Sequence, residues 1–310
     1  MKGAFLSLLL CLSLTLFGQN NPLQSTEIEI NKWVEGTLLT PNSNSKPDLV
    51  IIIAGSGPTD RNGNQNTLKN NSLKKLAIAL AESQIASFRY DKRTVKQIQM
   101  GKLEKKISFD DFVDDAKACI DHFKDNPNFS KIYIIGHSQG SLVGILAAED
   151  NADGFISLAG AGQNIGDVLI EQVNKTAPYF TEATTAVVEK LKEGKTTKEY
   201  PKELSNMFNE ELQKFMISWM QYNPTEEIKS LEMPVLIING TKDLQVSVDE
   251  ANLLAAANSK AELKIIENMN HVLFEIEGSD LENSKSYNEA FRPISSELIK
   301  SIVTFIESNR

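Results

Sequence analysis

The sequence predicts a doubly wound α/β domain, a mostly parallel central sheet flanked by helices on both faces, and three observations predict it. Short runs rich in β-branched residues, "DLVIIIAG", "IASFRY", "KIYIIGH", "GFISLAG", "MPVLIING" and "AELKIIE", lack polar alternation, as strands covered on both faces do. Helical patterns lie between these runs, so strand and helix alternate along most of the chain. The chain's 310 residues, 41% of them hydrophobic, are enough to bury one large core.

Taken in order, "MKGAFLSLLLCLSLTLFG" places Lys2 ahead of an apolar run from Ala4 to Phe17 and then Gly18, the pattern of a secretory signal peptide over residues 1–18. The run is shorter than the roughly 20 apolar residues of a spanning helix, and no basic cluster follows it, so no stable membrane anchor is expected. Cys11 lies inside the leucine run with Leu10 before it, which argues against lipidation. The expected mature chain, residues 19–310, is periplasmic or extracellular in a bacterium. It retains Cys119 as its only cysteine, so no intramolecular disulfide is available to it.

"STEIEINKWVEGTLLTP" alternates at period two and predicts an antiparallel strand pair at the sheet edge, with a turn from Pro41 to Pro47. Leu73, Leu76, Ala77 and Leu80 recur at helical spacing, as do Phe109, Phe112, Val113, Ala116 and Ile120, and later Val248, Leu253 and Leu254. From about residue 164 to 228 no strand pattern occurs. That stretch is charged and amphipathic, carries Phe180, Tyr200, Phe208, Phe215, Trp219 and Tyr222, and is expected to form an inserted helical lid over the carboxyl ends of the strands, where open α/β sheets bind ligands.

A net charge of -9 argues against nucleic acid as a partner, since phosphate binding needs a concentrated basic face. The one dense basic stretch, Lys92 to Lys106, is broken by Gln and Glu and reads as a solvated loop. No compact His/Cys/Asp/Glu cluster stands at metal-ligand spacing, so no metal is expected.

The chemistry centres on "YIIGHSQGS". A strand runs into Ser138 and a helical pattern with small residues leaves it, which is the strand, sharp turn and helix that expose a nucleophilic serine. A serine hydroxyl is weak until a base takes its proton, and in this architecture the acid and then the base follow the serine along the chain. Of the histidines, His122 precedes the turn and His137 lies within it, leaving His271 in "NMNHVLF". Asp243 in "GTKDLQV" follows a strand between serine and histidine; Asp249 is the runner-up, but a helix beginning near Ser247 should swing it away. Oxyanion donors are expected at the amide of Gln139, directly after the serine, and in "AGSGPTDRNGN", at Ser56 or its neighbour Gly57. The Gly-Ser-Gly string also suits a phosphate loop, but no Lys-Ser/Thr follows it.

The ordered set "GSGPTDRNGN", "RYDKR", "GHSQG", "GTKD" and "NMNHVL" resembles the α/β-hydrolase superfamily, and within it bacterial esterases and serine-aminopeptidase-like hydrolases. The resemblance covers the expected mature chain except the lid. It implies the α/β-hydrolase fold, a serine acyl-enzyme mechanism with Ser138, Asp243 and His271 as triad, Ser56 and Gln139 as oxyanion donors, no cofactor, and a small acyl ester as substrate. Two departures bear on that substrate: "RTVKQIQMGK" replaces the glycines and serine that usually continue the "RYDKR" motif, and Ala54 stands where some relatives have histidine. A peptidase with the same triad, or a binding protein that keeps only the fold, are the alternatives.

Overall fold

The computed structural model describes residues 23–42, 46–101, 107–149 and 151–310; the predicted signal peptide at 1–18 lies outside them. Eight strands form one sheet: β1 (Gln24–Glu29), β2 (Glu35–Thr40), β3 (Leu49–Ile53), β4 (Ala86–Tyr90), β5 (Ile132–His137), β6 (Gly154–Leu158), β7 (Val235–Gly240) and β8 (Glu262–Ile266). Their spatial order is β1-β2-β4-β3-β5-β6-β7-β8. The expected edge pair is present: β1 lies antiparallel to β2 and β2 antiparallel to β4, while every pairing from β4 to β8 is parallel.

β3 to β7 bury both faces because each apolar run supplies alternate side chains to opposite cores, whereas β8, expected to be covered likewise, is the edge strand and leaves Glu262 and Leu263 exposed. On one face Leu49, Ile51, Ile53, Phe88, Ile134 and Phe155 meet α3 (Asp110–Phe123), α4 (Gln139–Ala148) and α10 (Val248–Ala257). On the other, Val50, Ile52, Tyr133, Ile135, Ile156 and Ile238 meet α1 (Ser72–Glu82) and α12 (Ser296–Ser308). Each fully buried aliphatic side chain of this kind stabilises the fold by roughly 1.5–3 kcal/mol through lost apolar exposure. In α10 the buried face is Glu250, Ala251 and Leu254. Leu253, expected on that face, is exposed.

Between β6 and β7 the chain leaves the sheet and forms α5 (Ile165–Thr176), α6 (Thr181–Lys192), α7 (Ser205–Phe208), α8 (Glu210–Trp219) and α9 (Pro224–Glu227). These helices have a small core of their own, with Val187, Val188, Leu191, Phe208, Met216 and Met220 buried together. Trp219 stacks on Phe109 at 5.5 Å between ring centroids, and Phe215 packs on Phe112 at 5.6 Å, which ties α8 to α3. At the base of the insertion the Asn164 amide donates to the carbonyls of Met220 and Tyr222.

The basic stretch after β4 departs from its expectation. Arg93–Gln99 forms a helix, α2 in chain order, and Lys92 and Arg93 are buried rather than solvated; residues 102–106 of the stretch lie outside the described residues. Arg93 is held by both carboxylate oxygens of Asp115 at 2.8 and 2.7 Å and by Asp111. Partners distant in sequence thus satisfy charges that looked free along the chain. The remaining helix, α11 (Asp280–Ser286), follows β8.

Candidate active site at the carboxyl ends of the strands

Ser138 sits where β5 ends and α4 begins, with φ 55° and ψ −121°, a left-handed conformation for a residue that carries a Cβ. Such strain costs on the order of 1–3 kcal/mol and persists only where neighbours enforce it. Here the Ser138 amide donates to the Leu158 carbonyl at 2.8 Å, and its own carbonyl accepts from the Ser141 amide at 2.9 Å. The two glycines of "GHSQG" are required by close approach. A Cβ on Gly136 would lie 2.2 Å from the Gly140 carbonyl oxygen, and one on Gly140 would lie 2.4 Å from the Ile53 carbonyl oxygen. The serine is thereby held half-buried on the floor of a cleft.

Asp243 lies just after β7 and His271 in the loop after β8, so parallel strands bring both to the end of the sheet that carries Ser138. His271 Nδ1 is 2.7 Å from Asp243 Oδ2. The other oxygen of Asp243 accepts from the amides of Gln245 (2.8 Å) and Val246 (2.9 Å), so one carboxylate both caps its own turn and holds the imidazole. With the Asp243 side chain fully buried and Oδ2 facing Nδ1, the carboxylate orients the imidazole and turns Nε2 away from it. Asp249, the runner-up, is exposed on α10. Ser138 and His271 line the same small cavity, and among the described residues no hydrogen bond joins their side chains.

His137, which chain order excludes as the base, supports the site. Its Nε2 stands 2.8 Å from the His271 carbonyl oxygen. Burial, together with the nearby His271, pushes its imidazole down to about 4, so it is neutral at pH 7 and donates Nε2–H to that carbonyl. Asn270 anchors the same loop to α11, donating to Asn283 Oδ1 (2.9 Å) and Ser286 Oγ (2.8 Å). Asn283 in turn donates to the Lys242 carbonyl next to Asp243 at 2.6 Å.

Opposite, the loop after β3 carries Ser56 beside Ser138, while Gln139 opens α4. As the first residue of a helix, Gln139 has an amide without an intrahelical acceptor. Two motifs brace this side. Arg61 of "GSGPTDRNGN" binds Asp91 of "RYDKR" through its backbone amide (2.7 Å), Nε (2.9 Å) and Nη2 (2.7 Å). Lys92 of the same motif donates from Nζ to the Gly55 carbonyl at 2.9 Å and to Gln139 Oε1 at 2.6 Å, and lies 4.3 Å from the Phe112 ring centroid. The ammonium is buried, and desolvation lowers its pKa to about 7. Sequence reading missed its role, although its place inside "RYDKR" was the available signal.

Two cavities meet at Ser138 and Ser56. The larger, about 250 Å³, runs under the insertion between Val168, Leu169, Met207, Leu212, Met216 and Trp219 and has no Asp, Glu, Lys or Arg in its lining. The smaller, about 70 Å³, lies on the His271 side and is lined largely by uncharged polar groups, among them Thr59, Gln65, Asn70, Ser72 and Tyr287. Tyr287 carried no sequence signal.

A strained serine between β5 and α4, an aspartate after β7 and a histidine after β8 in a sheet of this order define an α/β-hydrolase. More narrowly, the chain belongs to the family described as serine aminopeptidase, S33, whose model matches residues 69–277. It is 26% identical over 266 residues to esterase EstD of Thermotoga maritima, an alignment covering 82% of this chain and 61% of EstD, so the chain spans about three fifths of that relative's length. Among solved structures, Est1E from Butyrivibrio proteoclasticus superposes with a TM-score of 0.57 at 15% identity, covering 92% of this chain and 98% of Est1E. The Pyrococcus furiosus esterase Pf2001 gives 0.56 at 15% identity, covering 93% of this chain and 90% of Pf2001. At these identities the two structures speak to the fold alone.

Proposed function

We propose that the protein is a serine-dependent carboxylic-ester hydrolase for short or medium acyl chains, with Ser138 as nucleophile, His271 as base and Asp243 as its orienting acid. The observation that carries this reading is the uncharged cavity of about 250 Å³ with Ser138 in its lining, below the roughly 300–1,000 Å³ of drug-sized ligand sites and suited to an acyl chain. Ser138 Oγ attacks the ester carbon as its proton passes to His271 Nε2, and the carbonyl oxygen becomes an oxyanion facing the amides of Ser56 and Gln139. The imidazolium then protonates the departing alkoxide. Water, activated by the same histidine, attacks the acyl-enzyme and releases the acid.

An aminopeptidase, the activity in the family's description, must hold a free ammonium against an unpaired carboxylate once the site is closed. The acyl cavity offers none. Three of the insertion's acids are paired with lysines, Glu199 with Lys190, Asp167 with Lys192 and Glu210 with Lys214, and none of its acids lines the acyl cavity. EstD is named an esterase, which agrees in kind.

The test is labelling with a fluorophosphonate, followed by a substrate panel. Labelling should vanish in Ser138→Ala while the protein stays folded, and p-nitrophenyl butyrate should be hydrolysed at least tenfold faster in kcat/KM than any aminoacyl p-nitroanilide, a difference of about 1.4 kcal/mol. Because aryl esters are intrinsically easy substrates, tributyrin against an unblocked dipeptide is the sharper pair. Cleavage of the dipeptide with no turnover of tributyrin rejects the ester reading.

A further inference from the structure

We propose that the smaller cavity is the leaving-group subsite and that it selects esters whose alcohol is short and carries a neutral hydroxyl. This rests on the ester-hydrolase reading above and adds the half of the substrate that the acyl cavity does not define.

Direction follows from proton transfer. The leaving oxygen must receive its proton from His271, so the alcohol lies on the histidine side of Ser138. The smaller cavity includes His271 and the larger does not. When the acyl carbon–oxygen bond breaks, the electron pair stays on the alkoxide and the imidazolium proton joins it, so the departing group is a neutral alcohol inside that cavity.

Its chemistry follows from the lining. No Asp, Glu, Lys or Arg side chain lines the smaller cavity, so neither a carboxylate nor an ammonium on the alcohol has a counter-charge there. Hydrogen-bonding capacity is instead left over. Ser72, only 2% exposed, lines this space and makes no side-chain hydrogen bond among the described residues. The Tyr287 hydroxyl accepts from Gln245 Nε2 at 3.3 Å, and its own proton has no acceptor among the described residues. Burial pushes that phenol up to about 12, so it keeps its proton at neutral pH. Gln65 spends Nε2 on the Ser56 carbonyl (3.1 Å) and Thr59 Oγ1 (2.9 Å), and its Oε1 makes no bond among the described residues. Gln65 and Tyr287 are half-buried, and all three residues line the cavity, so this bonding capacity is open to a ligand that enters it. One alcohol hydroxyl, which both donates and accepts, answers this set.

Size sets the reach. At about 70 Å³ the cavity accepts a few water-sized groups, which fits a two-carbon hydroxyalkyl unit.

The experiment compares 2-hydroxyethyl butyrate with n-propyl butyrate, esters with the same acyl group and the same number of heavy atoms. The kcat/KM ratio covers only the steps through acylation, so the shared deacylation drops out; dividing by the ratio of hydroxide-catalysed rates removes intrinsic reactivity. The unaltered enzyme should favour the hydroxyethyl ester about tenfold, and Ser72→Ala and Tyr287→Phe should each lower that preference, the double variant to within twofold of unity. Should Ser72→Ala fail to fold, Tyr287→Phe, which removes a single oxygen, carries the test. Equal corrected rates in the unaltered enzyme, or a preference that survives Tyr287→Phe undiminished, overturn the subsite while leaving the esterase intact. No turnover of either ester or of p-nitrophenyl butyrate overturns the ester reading and the subsite with it.

Discussion

The rim of the sheet and the insertion above it are built on opposite principles. At the rim, Ser138 is strained, the Asp243 side chain is completely buried, and His137, Asn270 and Lys92 hold backbone carbonyls or neighbouring side chains in place through bonds of 2.6 to 2.9 Å. The insertion has amphipathic helices, exposed ion pairs and a cavity wall rich in methionine and leucine. Fixed polar geometry suits charge that develops in a transition state, whereas soft, flexible side chains suit an apolar chain of variable length. Substitutions at the rim should therefore change rate, and substitutions in the insertion should change preference.

The largest effect is expected at the rim. His271→Ala should lower the turnover of p-nitrophenyl butyrate by about 10⁴- to 10⁶-fold, as removal of a triad base does elsewhere. A loss under tenfold would make His271 a loop residue only and dissolve the contrast.

Lys92→Met comes next and separates bracing from mere filling. Methionine matches the length of the lysine stem but donates to neither Gly55 O nor Gln139 Oε1. Loss of one oxyanion donor costs about 10²–10³ in kcat, so loosening the loop proposed to carry such a donor should cost about 10- to 100-fold, in kcat more than in KM. Stability offers an independent readout. Below pH 7 Lys92 is protonated in both folded and unfolded chains; between about 7 and the unfolded value of 10.5 the unfolded chain binds the extra proton. Stability from this group therefore rises with pH across that window, by at most about 1.4 kcal/mol per unit. Urea titrations at pH 7 and pH 9 should show the unaltered protein gaining on Lys92→Met. An identical pH dependence in both would mean that the ammonium is not the buried group described.

The same contrast explains what could be read from the sequence. The strands and flanking helices were legible because their apolar periodicity is local, and β3 to β8 each coincide with one of the runs first singled out. Ser138, Asp243 and His271 could be singled out because chain order and strand ends constrain where such groups stand. Lys92 was misread because its partners lie 37 and 47 residues away, and in a string of lysines and glutamines a basic residue looks solvated. Leu253 failed for a different reason: periodicity locates a helix but leaves the edge of its buried face uncertain by one position. Tyr287 and Ser72 were invisible, since a cavity wall drawn from α1, the loop after β3 and the end of α11 has no signature in any one segment.

The smallest expected effect belongs to the insertion, at Met207, a half-buried residue on the wall of the acyl cavity. Met207→Trp should place a larger, rigid ring into the space of about 250 Å³ and shorten the chain that fits. Each methylene buried is worth about 0.8 kcal/mol, so excluding two of them costs an octanoyl ester about 1.6 kcal/mol, or roughly 15-fold in kcat/KM. An acetyl ester, which does not reach that wall, should change by less than about threefold. The measurement is kcat/KM for p-nitrophenyl acetate, butyrate and octanoate in both proteins, since a shared leaving group confines any difference to the acyl side. A uniform fall across the series would mean that Met207 acts on the rim and that the division between rate and preference is drawn in the wrong place. A selective fall for octanoate would assign chain length to the insertion and leave the chemistry to the sheet.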